Sequence, residues 1–127
     1  MKELKLNITI DKPAHEVFDF CVNPENTPRW IDSIVKEETN EWPSRLGTIY
    51  KNTSGNGEWA EYKMTEFEEG KKFTMSRVSP PYHVRYMLTE HDGKTDLEYY
   101  EWVESGELGP FPIEALHKLK SVMEGES

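Results

Sequence analysis

Thr9 to Trp30, reading TIDKPAHEVFDFCVNPENTPRW, is the stretch that decides the fold. Just before it, Leu4, Leu6, Ile8 and Ile10 alternate with Lys5, Asn7 and Thr9, the pattern of a strand with one apolar face. Pro13 suits the first position of a helix, where its missing N–H costs nothing. That placement makes Lys12 the expected cap and leaves Asp11 one position too early. Val17, Phe18 and Cys21 recur at helical spacing and predict a short amphipathic helix. Asn23-Pro24 then reads as cap and first residue of a second helix. Pro28 disfavours helical geometry at Thr27, which limits that helix to about one turn. Trp30 closes the stretch as a plug for one end of the core.

Outward from this corner the chain turns to β structure from Ser33 to about Ser105. Turn signals stand at Pro43 to Gly47, Ser54 to Gly57, Glu69-Gly70, Ser79 to Pro81 and Asp92-Gly93. They separate expected strands near 33–41, 47–53, 58–68, 71–78, 82–91 and 94–104. Connections this short make neighbouring strands antiparallel, a meander. Gly106, Gly109, Pro110 and Pro112 break the pattern. A last helix is expected from Ile113, with Leu116, Leu119 or Lys120, and Met123 on one side.

A two-residue turn at Asp92-Gly93 pairs Leu88 with Leu97, Tyr86 with Tyr99 and Val84 with Glu101. One at Glu69-Gly70 pairs Glu66 with Phe73, Met64 with Met75 and Tyr62 with Arg77. Across the Ser79–Pro81 connection, parity allows Phe73 with Leu88, Met75 with Tyr86 and Arg77 with Val84. The face so assembled is apolar and aromatic; the opposite face carries Lys63, Thr65, Thr74, Ser76, Arg85, Thr89, Asp96 and Glu98, with Tyr100 and Trp102 as exceptions. One dry and one wet face describes an antiparallel sheet covered on a single side. A sheet of this many strands curls. A single helix of about 11 to 13 residues covers only part of the concavity, so a cavity is expected.

Composition narrows the partners. In 127 residues, 24 acidic against 15 basic side chains give a formal charge of −9. That charge repels a nucleic-acid backbone or an anionic membrane surface. No apolar run approaches the ~20 residues of a membrane span, and MKELKLNITI lacks a signal-peptide apolar region. Cys21 is the only cysteine and lies on an apolar helix face, so it reads as a buried thiol rather than a nucleophile. His15, His83, His91 and His117 lack zinc-ligand spacing, and no phosphate-binding loop or dinucleotide fingerprint is present. A cytoplasmic monomer or homodimer with no metal and no cofactor is the expectation.

The order strand, two short helices, meander and long C-terminal helix resembles the helix-grip arrangement of the START-like (Bet v 1-like, SRPBCC) superfamily. The local residues resemble its polyketide cyclase/dehydrase-like branch. The likeness rests on Ile10-Asp11-Lys12-Pro13-Ala14 leading into Val17-Phe18, on Asn23-Pro24-Glu25 and on Pro28-Arg29-Trp30. It continues in Leu46-Gly47-Thr48, Met64-Thr65-Glu66-Phe67 and Gly93-Lys94-Thr95-Asp96-Leu97. It implies one α+β domain over residues 1–127: a curved seven-stranded antiparallel sheet wrapped around a C-terminal helix, with two short helices between the first two strands. It also implies a cavity for a small hydrophobic or aromatic molecule, or a lipid, between sheet and helix. It does not imply one activity, since this fold hosts carriers, cyclases and co-chaperone modules. The last helix here is short, bounded by Gly109-Pro110-Phe111-Pro112 and Gly125, which would leave the pocket more open than in fuller members.

The expected wall draws on Met64, Met75, Tyr86 and Tyr99, which combine adaptable apolar surface with polar tips. Tyr50, Phe73, Val84, Leu88 and Leu97 extend it along the sheet. Leu116 and Lys120 face it from the helix, and Trp30 from the opening stretch. Arg77, Glu101 and Tyr62 form a candidate polar cluster near the mouth, which reads either as a ligand-orienting group or as an ordinary rim ion pair. Glu101, Tyr62 and His117 are the candidates for proton transfer should the protein be a cyclase- or dehydratase-type enzyme. A third reading, a protein-interaction module, rests on outward-facing Tyr100 and Trp102. The acidic stretch Lys36 to Glu41 reads as a solvated edge strand.

Overall fold

Asp92 and Gly93 both have positive φ, 53° and 76°, the conformation of a two-residue hairpin turn. This turn pins the longest hairpin of the molecule. The computed structural model describes residues 1–77, 81–109 and 111–125; the turn expected at Ser79-Pro80 and the break expected at Pro110 lie outside them. The strands are β1 (Lys2–Ile10), β2 (Lys36–Thr39), β3 (Ile49–Thr53), β4 (Trp59–Glu68), β5 (Lys72–Arg77), β6 (Tyr82–His91) and β7 (Lys94–Val103). They form one antiparallel sheet in the order β1-β7-β6-β5-β4-β3-β2. Helix α1 (Ala14–Val22) and a single 3-10 turn (Thr27–Arg29) connect β1 to β2, and α2 (Ile113–Gly125) ends the chain. This is the expected helix-grip architecture.

The β6–β7 register agrees with the sequence: Leu88 opposes Leu97, Tyr86 opposes Tyr99 and Val84 opposes Glu101. Burial along β7 alternates strictly from Lys94 to Val103, with Thr95, Leu97, Tyr99, Glu101 and Val103 inward. Two registers differ from expectation. Phe73 pairs with Tyr86, Met75 with Val84 and Arg77 with Tyr82, a slip of two residues that keeps the faces but moves every rung. In β4, Met64 opposes Met75 as expected, but a bulge follows, so that Glu66 opposes Thr74 and Phe67 opposes Phe73. The extra residue turns Glu66 outward, where it accepts a hydrogen bond from Thr74 Oγ1 at 2.9 Å. It turns Phe67 inward against the ring of Phe18, 5.4 Å between centroids.

The corner also differs in detail. Pro13, not Lys12, is the cap of α1: its φ of −68° and ψ of 157° are extended, and its carbonyl accepts from the N–H groups of Glu16 and Val17. Asn23-Pro24 opens a turn rather than a helix. The Asn23 carbonyl accepts from the Asn26 N–H, and its side chain from the Glu25 N–H. Pro28 lies within the 3-10 turn that Thr27 begins, because the first N–H groups of a helix have no partner to lose.

Val17, Phe18, Cys21 and Val22 bury one face of α1, and Phe18 meets Phe73 edge-on at 5.5 Å. Leu116, Leu119 and Met123 bury one face of α2, which packs chiefly on β1. Lys120 fastens that contact by donating from Nζ to the Thr9 carbonyl at 2.7 Å. No helix among the described residues is long and apolar enough to cross a membrane.

Candidate functional site

Concavity left by the curled sheet becomes a cavity of about 680 Å³. Its floor is the inward face of the central strands: Tyr62 of β4, Met75 and Arg77 of β5, Tyr82, Val84 and Tyr86 of β6, and Tyr99 and Glu101 of β7. Its far side is not α2. Cys21, Thr27, Ile31, Ile34 and Glu37 close it from the segment between α1 and β2, and Phe111 contributes from the chain ahead of α2. The mouth lies at the β3–β4 hairpin, bordered by Ser54, Asn56, Glu58 and the half-exposed Trp59.

Seven of the fifteen expected wall positions line this space: Tyr62, Met75, Arg77, Val84, Tyr86, Tyr99 and Glu101. The other eight stand elsewhere, for reasons of packing. Phe73, Met64, Leu88 and Leu97 are consumed by side-chain contact within the core, and Trp30 packs edge-on against Tyr86 and Phe111. Tyr50 is fully buried and donates its O–H to the Val22 carbonyl. Leu116 is buried in the α2 contact, and Lys120 is held at its edge by Thr9 and Glu124. His117 is exposed on the solvent side of α2, away from the cavity. The cavity expected between sheet and α2 is therefore displaced toward the 3-10 turn, because α2 sits over β1 at the sheet edge.

The polar cluster takes a form that the slipped register explains. Arg77 opposes Tyr82 rather than Val84. Its guanidinium lies over the rings of Tyr62 and Tyr82, 5.5 and 5.6 Å from their centroids. Glu101 is 3% exposed, far from the wet rim position of an ordinary surface ion pair. Its Oε2 accepts hydrogen bonds from the phenols of both Tyr82 and Tyr99, the latter at 2.5 Å. Burial, and then the Glu101 carboxylate, push the Tyr82 phenol upward in pKa; burial, with neighbouring acidic groups, does the same to Tyr99. Both phenols are thus held as donors. Arg77, Tyr82, Glu101 and Phe111 also line a second cavity of about 320 Å³, reached past Pro81, Ser105 and Gly106, and so form a thin partition between the two spaces.

Glu37 is the residue that sequence patterning missed. The sequence places it on a solvated edge, yet it points into the cavity, where Thr27 Oγ1 donates to one oxygen at 2.6 Å and Asn52 Nδ2 to the other at 3.1 Å. Desolvation raises its pKa against those hydrogen bonds. Its pairing with Asn52 in β3 carries the signal, since the alternation Lys36-out, Glu37-in, Glu38-out is invisible without the register. Tyr82 shares parity with Val84 and Tyr86, so it was readable; Phe111, between prolines, offered no periodicity. Tyr100 and Trp102 stack on one another on the outer face, with His83 against Trp102 at 4.8 Å. No cluster of three metal-ligating side chains occurs among the described residues.

Comparison with known proteins places this geometry. The chain finds no match among curated protein sequences. Among solved structures, protein MLL2253 from Mesorhizobium loti superposes with a TM-score of 0.77 at 12% identity, over 99% of both chains. The Aha1 dimer from Colwellia psychrerythraea gives 0.74 at 14% identity, over 98% of this chain and 97% of that one. DynU16, from the dynemicin biosynthetic locus, gives 0.74 at 14% identity, over 99% of this chain but 48% of its own. Identities this low show a shared fold and nothing finer. The model of one family, polyketide cyclase / dehydrase and lipid transport, matches residues 1–126. With a helix-grip sheet, a cavity on its concave face and a family match over nearly its whole length, the chain belongs to the polyketide cyclase/dehydrase and lipid transport family.

Proposed function

We propose that this protein binds a small, mainly apolar or aromatic molecule in the cavity over β4 to β7. The observation that carries this is a space of about 680 Å³, open at the β3–β4 hairpin, whose floor mixes Met75, Val84 and four tyrosines. A cleft of this volume, with an apolar and aromatic floor and polar groups converging on it from Glu37, Arg77 and Glu101, is the form a small-molecule site takes. Membership of a family that includes cyclases and lipid carriers supports the same reading without choosing between them.

The test is saturable binding of N-phenyl-1-naphthylamine, an uncharged fluorescent probe, by wild-type protein and by Val84→Trp, which fills the floor. Wild type is expected to enhance the probe's fluorescence with one-site saturation, and the variant to lose that response while keeping its circular dichroism. No saturable response in wild type, or equal binding by the folded variant, overturns the reading.

Catalysis of the cyclase or dehydratase kind is a second reading, favoured by one feature: a buried carboxylate, Glu101, wired to the phenols of Tyr82 and Tyr99. Tyr82→Phe separates the two. In a binder the change acts on affinity alone, whereas in an enzyme using this relay it lowers turnover at saturating substrate.

A further inference from the structure

The two oxygens of Glu101 are unequally served. Oε2 accepts from Tyr82 and Tyr99, while Oε1 is buried and has no hydrogen-bond partner among the described residues. A buried carboxylate oxygen without a donor is costly, and native structures rarely tolerate one without a reason. Glu101 lines both the main cavity and the smaller one beyond the partition, and of these the larger has the room for a ligand that brings the missing donor.

The charge around that space has a sign. Four lining residues are carboxylates, Glu37, Glu58, Glu61 and Glu101, against the single guanidinium of Arg77. That guanidinium already lies over the rings of Tyr62 and Tyr82. Glu37 and Glu101 come from strands five places apart in the sheet, yet the curl brings both charges to bear on Tyr62 and Tyr86. Tyr86, Tyr99 and Phe111 add aromatic faces, which attract a cation and not an anion. The chain as a whole is at −9 and draws cations toward the mouth.

Building on the binding reading above, we propose that the preferred ligand is an apolar or aromatic amine, held as its ammonium ion. Its N–H group donates to Glu101 Oε1, and its body lies against Met75, Val84 and Tyr86. Free fatty acids and other carboxylate-bearing amphiphiles are disfavoured, because they bring a like charge into a wall that is already acidic. A bound water would satisfy Oε1 equally well but leaves the acidic excess and the aromatic lining without a purpose.

Four naphthalenes of one shape test this by displacing N-phenyl-1-naphthylamine from wild-type protein at pH 7: 2-(1-naphthyl)ethylamine, 2-(1-naphthyl)ethanol, 1-naphthylacetic acid and 1-ethylnaphthalene. The amine is expected to displace the probe about tenfold better than the alcohol, because an ammonium adds its own charge to a hydrogen bond that the alcohol makes to the carboxylate as a neutral donor, and the acid worst of all. Glu101→Gln is expected to bring the amine down to the alcohol and leave ethylnaphthalene unchanged. Should that variant misfold, Glu37→Gln reports the same charge preference from the opposite wall, with a smaller loss for the amine. An alcohol or acid as effective as the amine in wild type overturns the proposal while the apolar cavity stands. Failure of the probe itself to bind removes both.

Discussion

The phenol of Tyr50 donates to the backbone carbonyl of Val22 at 2.7 Å, tying the second strand of the meander to the last residue of α1. Ser44 meets the same phenol oxygen. This junction holds the short-helix segment over the sheet, and that segment closes the cavity. Tyr50→Phe keeps the ring and removes the bond, leaving the Val22 carbonyl and the Ser44 hydroxyl buried without it. The expected cost is about 1–3 kcal/mol in urea unfolding, with the m-value unchanged. A loss too small to measure would show that water replaces the phenol.

Cys21 lies on the inner face of α1, and burial pushes its thiol from 9.0 up to about 12. At pH 8 that lowers the thiolate fraction about a thousandfold relative to a free cysteine. Reaction with a disulfide reagent is therefore expected to be slow in the native protein and fast in guanidinium. Rapid native labelling would mean that α1 opens readily or that the reagent reaches Cys21 through the cavity it lines, which Val84→Trp distinguishes.

All six tyrosines are displaced upward in pKa: Tyr50, Tyr62, Tyr82, Tyr86 and Tyr99 chiefly through burial, Tyr100 chiefly through its hydrogen bond to Glu3. A raised folded value favours the neutral phenol. The stability it confers is whole below the unfolded value of 10.0 and is lost as pH climbs above it. Absorbance at alkaline pH is expected to show little phenolate in the native protein, followed by cooperative release on unfolding. A smooth titration centred near pH 10 with the fold intact would contradict the burial of these rings.

Glu37 titrates in the same sense, from neutral acid to anion, at lower pH. Desolvation raises its carboxyl above 4.5, so the folded state prefers the protonated form. Its contribution to stability is therefore greatest below the unfolded value and declines as pH rises through the folded one. Glu37→Gln is expected to remove that decline: the variant gains on wild type between pH 4 and pH 7 in chemical denaturation. A constant difference across that range would place the carboxyl in water.

Leu119 and Met75 contrast a filled site with an open one. Leu119 is fully buried on the inner face of α2, and Leu119→Ala is expected to cost about 2–5 kcal/mol. Met75 borders existing space, so Met75→Ala creates little new void and is expected to cost less than the leucine change while enlarging the ligand site. Paired urea melts decide this; equal losses would mean that Met75 is packed like core.

How much of this was legible beforehand depends on where local chemistry fixes a geometry. Asp92-Gly93 demands positive φ at both residues, so the β6–β7 register, and with it the inward placement of Glu101, followed from sequence. The sequence Ser79-Pro80-Pro81 names no single turn type, so parity alone guides the pairing of β5 with β6, and the observed pairing lies two residues away. Parity survives such a slip, which is why Tyr86 and Met75 were still found inward while Arg77 was given the wrong neighbour. Glu37 was hidden by composition: in a run of charges, the single inward one has no apolar pattern to betray it. The position of α2 was hidden for another reason. Its apolar stripe says that it packs on something, and β1 and the cavity floor present equally apolar faces.

The bulge after Met64 divides β4 into two strands joined end to end. Up to Met64, even-numbered residues face the ligand space and the core; from Phe67, an odd-numbered residue does. Anyone reshaping this cavity by choosing every second position along β4 would edit the lining as far as Met64 and the solvent face beyond it. A library meant to vary the interior must change step at Thr65, the unpaired residue, whose deletion would leave the pairs on either side, Met64 with Met75 and Glu66 with Thr74, in one unbroken ladder.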